Sequence, residues 1–351
     1  MTPQSEVLLR QLHLCTGRVL LVNPPADDLC CELLEQAAIT HCHIWTWNYA
    51  DHCYFQRFAS QGVQSHFAID YPTALDDTMG AAYEQVIVFN VKAKKLLHYV
   101  LYQICRHRPA QSSLLLVGEK KAGIEGAAKV LQQFGKAHKI DSARHCQVWQ
   151  LYSQVPEKIA DEHWLQRYPV QLPLADGTLK IDVVAWVGVF SQNGLDVGTA
   201  ELLPYLPQVK AGKIADFGCG AGVIAALLAK LQPHNQIVAY DVDAFALAST
   251  ALTCQANGIT QVAIQAVQGV HDIATDFDAI VSNPPFHQGV NTDYQVSEAL
   301  CHTAKQHLNA KGQVWIVANR FLNYPVLLQQ HFTQCDIKAD KNGFKVLYAT
   351  H

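Results

Sequence analysis

Lys213-Ile214-Ala215-Asp216-Phe217-Gly218-Cys219-Gly220-Ala221-Gly222 reads as a strand and a glycine loop that opens a helix, Val223 to Lys230. Glycine tolerates positive φ and lets a ligand come close to the backbone. A second strand, Gln236 to Tyr240, ends in Asp241, 19 residues beyond Gly222. A carboxylate there can accept both hydroxyls of an adenosyl ribose. A glycine turn alone would equally serve NAD, or only close helix–strand packing. The spacing is Gly-x-Gly-x-Gly rather than the dinucleotide Gly-x-Gly-x-x-Gly, and Asp216 stands just before it.

Asn283-Pro284-Pro285-Phe286 lies 65 residues beyond Gly218, after the apolar run Phe277 to Ser282, which reads as a buried parallel strand. Two successive prolines fix φ, lack N–H groups and force an extended turn. Such a turn aims the Asn283 side chain and the Pro284 carbonyl outward beside an aromatic face. Two acceptors and a stacking ring suit a planar nitrogen that carries two hydrogens. Asn23-Pro24-Pro25 also follows an apolar strand, but Ala26-Asp27-Asp28 comes next and no aromatic does. Asn23 is therefore expected to cap a helix. Asp216, the glycines, Asp241 and Asn-Pro-Pro-Phe together resemble class I methyltransferases that methylate exocyclic amino or amide nitrogens. The resemblance implies S-adenosylmethionine as cofactor, held by Asp216, Phe217, Gly218, Cys219, Gly220, Gly222, Asp241, Val242 and Asn283. Asn283, Pro284 and Phe286 would then act on the acceptor. Cys219 fits the loop because it is small, and it carries no redox role.

The chain has 351 residues, half of them hydrophobic, enough for two ordinary domains. No apolar stretch approaches ~20 residues, so no transmembrane helix is expected. Met1 to Gln11 lacks the pattern of a signal peptide. The 11 cysteines are scattered, apart from Cys30-Cys31, as in a reduced, cytoplasmic protein. On a strand, Cys42 would point away from His41 and His43, and no second ligand pair is suitably spaced. No metal is expected. The net charge of −4 hides an asymmetry: −7 over 1–85, +8 over 86–150 and −5 over the rest. Lys92, Lys94, Lys95, Arg106, Arg108, Lys120, Lys121, Lys136 and Lys139 make the middle segment basic. That block suits either a phosphate-binding surface or a solvated helix face.

Strands alternate with helices throughout, which predicts parallel sheets with crossover helices. Strands are expected at 213–217, 236–240, 262–267, 277–282, 313–318, 335–339 and 344–350. The last two form a hairpin through Lys341-Asn342-Gly343. The first half repeats this plan in worn form: strands at 18–22, 43–47, 85–89 and 113–117, with Asn90 ending its fourth strand as Asn283 ends the other. Asn23 to Asn90 spans 67 residues, against 65 from Gly218 to Asn283. With no glycine loop and no aromatic after Asn90, this copy is expected to bind no cofactor. The fold class expected is α/β: two tandem domains that resemble the Rossmann-like, seven-stranded methyltransferase fold, from a duplication, the N-terminal one degenerate. The division expected is 1–155 for the degenerate domain (recognition and stability), 156–185 for a packed joint, and 186–351 for the catalytic domain.

A duplicated fold with Asn-Pro-Pro-Phe-His in its second half resembles the bacterial ribosomal RNA small subunit methyltransferase C family. Further resemblance lies in Gly194-Leu195-Asp196-Val197-Gly198, Ala215 to Val223, Ser282 to Gly289, Val317 to Pro325, and Lys139-Ile140-Asp141-Ser142-Ala143-Arg144. That family methylates guanine N2 in 16S rRNA. The resemblance implies the 30S subunit as partner and a monomeric enzyme. It places Asp196 at the cofactor. Phe190, Phe286, His287 and Arg320 would meet the substrate, with Lys92, Lys94 and Lys95 on RNA. His287 would contact phosphate or base, or be an ordinary loop histidine. The sister family acting on 23S rRNA, and enzymes acting on adenine N6 or protein glutamine, share the same acceptor chemistry. One departure stands out: Gln265, Val267 and Gln268 follow the third strand where many class I enzymes place an acid for adenine.

Overall fold

The computed structural model describes residues 1–73, 83–284 and 291–351, with only the helical backbone over 291–297. The chain divides into two compact units, Met1–Trp164 and Leu165–His351. The first holds β1 (Gly17–Val22), β2 (Ile39–Thr46), β3 (Val63–Phe67), β4 (Gln85–Phe89), β5 (Ser113–Glu119), β6 (Gly135–Ala143) and β7 (Cys146–Ser153). The second opens with a hairpin, β8 (Leu165–Leu174) and β9 (Gly177–Trp186). It continues with β10 (Lys213–Phe217), β11 (Gln236–Asp241), β12 (Val262–Ala266), β13 (Phe277–Ser282), β14 (Leu308–Asn319), β15 (Gln334–Lys341) and β16 (Phe344–Thr350).

Each unit carries one seven-stranded sheet, ordered β3-β2-β1-β4-β5-β7-β6 and β12-β11-β10-β13-β14-β16-β15. The two orders are the same, which is the duplication expressed as topology. Helices cover both faces, so the central strands read as unbroken apolar runs: Val86–Phe89, Leu114–Val117 and Ala279–Val281 are buried. Among the described residues no helix is long and apolar enough to cross a membrane, and no group of His, Cys, Asp and Glu could hold a metal ion. Cys42 packs in the core with Val19 and Ile44. His43 faces the other way, its Nδ1 3.0 Å from the Tyr83 hydroxyl.

Four details differ from the sequence reading. Asn23 caps no helix: it takes φ +51, and its N–H donates to Trp45 O at 2.8 Å. Gly218 makes the matching bond to Tyr240 O at 2.9 Å. Asn23 thus stands where Gly218 does, and asparagine is one of the few residues that accept this left-handed turn. Asn90 is not level with Asn283. Val22 pairs with Val88 and Phe217 with Ser282, so Phe89 holds the corresponding place and Asn90 comes one residue late. Counting residues sees spacing but not register.

The stretch 156–185 is not one joint. Trp164 belongs to the first unit, with ring contacts to His98 at 5.5 Å and Tyr99 at 5.3 Å. From Leu165 the chain forms β8–β9, whose edge is covered by the helix Ala244–Ala256. Ser249 Oγ accepts from Trp186 N (2.9 Å), Thr253 Oγ1 from Val184 N (3.0 Å) and Asn257 Oδ1 from Asp182 N (3.0 Å). Residues four apart share one helix face, so their oxygens meet alternate N–H groups along β9.

Arg108, counted in the basic block, is only 4% exposed. Its guanidinium donates to Ser113 O at 2.7 Å, Tyr83 O at 3.0 Å and Glu84 O at 3.1 Å, binding the amino ends of β4 and β5. It holds the sheet from within. Arg108→Met leaves these carbonyls unmet and is expected to destabilise the chain by about 3 kcal/mol in urea unfolding. A loss below about 1 kcal/mol would mean that water satisfies them.

Candidate active site

β10 and β13 are neighbours, and strand order reverses between them. Ligands of open α/β sheets bind at the carboxyl ends of such a pair. The pairing of Phe217 with Ser282 makes Gly218 and Asn283 leave the sheet side by side. Ser282 Oγ donates to Phe217 O at 2.6 Å and ties the two exits together. A Cβ on Gly218 would lie 3.8 Å from the Asn283 carbonyl oxygen.

The loop after β10 turns through φ values of +80, +54 and +79 at Gly218, Gly220 and Gly222. Gly222 also has no room: a Cβ there would lie 3.0 Å from Thr250 Cα in the helix Ala244–Ala256. Thr250 Oγ1 sits 3.1 Å from Gly220 O and 3.2 Å from Cys219 Sγ, holding the loop from behind. Burial pushes the Cys219 thiol well above its usual range. Asp241 closes the loop, its Oδ2 accepting from Gly220 N at 2.9 Å and its Oδ1 from Asp243 N at 3.0 Å. Val242 follows, half-buried.

Asp216 is wholly buried. Its Oδ2 accepts from Ala225 N at 3.0 Å, in the first turn of the helix Val223–Leu231. Its Oδ1 is buried with no partner among the described residues. Burial raises its pKa to about 7; the Ala225 N–H opposes this and the Asp241 charge adds to it. Asp243 caps the helix Ala244–Ala256 through Phe245 N and Ala246 N. Burial, then the charge of Asp241, lifts it to about 7 as well. Asp241 itself is raised by burial and held back by the N–H groups of Gly220, Asp243 and Val242. Carboxyl groups shifted upward by burial, one with an oxygen unmet among the described residues, suit a cationic ligand, which would favour their charged forms.

Asn283 is half-buried and Pro284 buried. Asn283 Nδ2 donates to Asp196 Oδ2 at 3.0 Å and to Thr199 Oγ1 at 2.8 Å. Asp196 is set by its second task, capping the helix Val197–Leu202 through Thr199 N at 2.9 Å. Phe190, on the turn after β9, is 49% exposed. Arg320 follows β14 and pairs with Asp340, while its N–H donates to Gly343 O at 2.8 Å. Lys92, Lys94 and Lys95 belong to the other unit, exposed beyond the carboxyl end of β4. Phe286 and His287 lie outside the described residues. Sequence reasoning missed Thr199, Thr250, Ser282 and Asp243. Only Asp243 gave a signal, as a helix cap before an alanine-rich run.

Residues 180–348 match the family model of the methyltransferase small domain, and 5–168 that of its N-terminal domain. A relative from Acinetobacter baylyi, ribosomal RNA small subunit methyltransferase C, is 52% identical over 352 residues, 99% of each chain. A relative of the same name from Pseudomonas syringae pv. syringae is 41% identical over 349 residues, again 99% of each. In fold, the chain is similar to a T. thermophilus 16S rRNA N2 methyltransferase solved with AdoMet and guanosine. The TM-score is 0.80 at 21% identity, covering 99% of this chain and 92% of that one.

The carboxylates make a prediction of their own. A carboxyl raised from its ordinary value near 4 to about 7 adds stability below the lower value and loses it as pH rises through the upper. Asp216→Asn removes that loss. The variant is expected to melt higher than the unliganded wild type, with a larger gain at about pH 8 than at about pH 5. An equal shift at both would mean that Asp216 is already ionised.

Proposed function

The chain belongs to the ribosomal RNA small subunit methyltransferase C family, and from that premise we propose that it methylates the exocyclic N2 of a guanine in 16S rRNA, using S-adenosylmethionine. It acts on the 30S subunit, as a monomer and without a metal. The adjacency of Gly218 and Asn283 carries this reading, because a cofactor loop and an amino-group acceptor leave paired strands at one level.

Bound S-adenosylmethionine supplies an electrophilic methyl group on a sulfonium centre. The chain supplies alignment. The Gly218–Gly222 backbone receives the cofactor, together with Phe217, Cys219 and Val242. Asp241, with lone pairs beyond those used by Gly220 and Asp243, accepts the ribose hydroxyls. The unmet Asp216 Oδ1 accepts from the cofactor's ammonium, directly or through water.

Guanine N2 is a poor nucleophile, since its lone pair delocalises into the ring. Asn283 Oδ1 and the Pro284 carbonyl accept its two N–H bonds and favour a more tetrahedral nitrogen. These bonds strengthen as positive charge develops, which lowers the barrier rather than only tightening binding. Phe286 stacks on a base flipped from its helix. Phe190, His287 and Arg320 border the substrate, and Lys92, Lys94 and Lys95 meet RNA phosphates.

Transfer of labelled methyl to 30S and 50S particles lacking their own modifications tests the assignment. N2-methylguanosine in 16S rRNA is expected. Label in 23S rRNA, in N6-methyladenosine or in protein would overturn it. In the same assay Asn283→Ala is expected to lower kcat by about 10³ with cofactor affinity little changed. Equal loss of both would make Asn283 a structural residue.

A further inference from the structure

The geometry points to Asp196 and Thr199 as positioning residues that fix the Asn283 amide with its oxygen, not its nitrogen, toward the acceptor amine. This inference deepens the N2-methylation reading and rests on it. An asparagine amide has two ends of nearly equal size. Rotation by half a turn would set its NH2 against the N–H bonds it must accept. Something has to choose the end.

Asp196 makes the choice by chemistry. An ionised carboxylate only accepts, so the amide face 3.0 Å from Asp196 Oδ2 has to be the NH2 face. Thr199 adds a second acceptor at 2.8 Å. Its hydroxyl is 3.4 Å from the same Asp196 oxygen, so its hydrogen points there and a lone pair is left for Asn283. Both Asn283 N–H bonds are thereby used, and flipping would press the amide oxygen against the Asp196 carboxylate. The clamp also polarises the amide. Donation to a carboxylate draws negative charge onto Oδ1, the atom that faces the developing ammonium. The resemblance to methyltransferases set Asp196 at the cofactor; the hydrogen bonds set it on Asn283.

The helix cap and the clamp can be separated. Asp196→Asn keeps a good cap and its oxygen but loses the charge. Thr199→Val keeps the shape and loses the acceptor, and Thr199→Ser restores it. With unmodified 30S particles and S-adenosylmethionine, kcat is expected to fall about tenfold in Asp196→Asn, which takes the charge from one bond, and about tenfold in Thr199→Val, which removes a neutral one. Thr199→Ser should recover, while the cofactor Kd and the melting temperature stay near wild type. A kcat unchanged in both variants, or a raised cofactor Kd with kcat intact at saturation, would overturn the clamp.

A second readout needs no turnover. The side-chain amide signal of Asn283, identified by its loss in Asn283→Ala, should exchange with water slowly in the wild type and faster in Thr199→Val. Equal exchange in the two would sink the inference. If the wild type methylates no guanine while exchange behaves as expected, the assigned reaction fails and the clamp stands.

Discussion

The pairing of β10 with β13 is the constraint on which the site depends. It brings the glycine loop beside Asn283 across the 65 residues that separate Gly218 from Asn283. In a parallel sheet the two exits are level only if the register is right. A slip of one residue would turn every side chain of β13 to the opposite face. Ser282 anchors that register at its last step, through the bond to Phe217 O. Buried and small, it looks like filler in the sequence, yet it fixes where chemistry can occur.

The duplication separates residues that make the fold from residues that make the site. Matching Val22 to Phe217 puts Leu21 at the place of Asp216, Thr46 at that of Asp241 and Phe89 at that of Asn283. At these three places no acid or amide stands in the first unit. What survives is backbone logic. Asn48 caps its helix through Ala50 N and Asp51 N, as Asp243 caps through Phe245 N and Ala246 N. The positive φ after the first strand also survives, carried by Asn23. The caps and the turn recur in both halves; the acids Asp216 and Asp241 occur in only one.

This division also explains what could be read from sequence. Apolar runs gave the central strands 213–217 and 277–282 to the residue, since burial on both faces leaves a strong signal. But β2 begins at Ile39 rather than 43, β14 at Leu308 rather than 313, and the β8–β9 hairpin was not foreseen. The loop and the Asn-Pro-Pro turn stood out because unusual residues occupy unusual backbone. Long-range polar contacts left no such mark. Arg108 looked like a surface charge until three carbonyls claimed it. Thr199 and Ser249 looked like helix filler. Their partners lie 84 and 63 residues away, beyond any local pattern.

The acids suited to bind a cation carry a cost when no cation is present. Asp216, Asp241 and Asp243 lie close together behind the loop, all shifted upward by loss of hydration. A backbone N–H meets each of them and holds it in place. Lower charge would make a sturdier domain, and the first unit has it: Leu21 and Thr46 are neutral, and Asn48 does the work of Asp243 without a charge. On one plan, the second unit therefore sets acids, shifted upward by burial, where the first sets neutral residues.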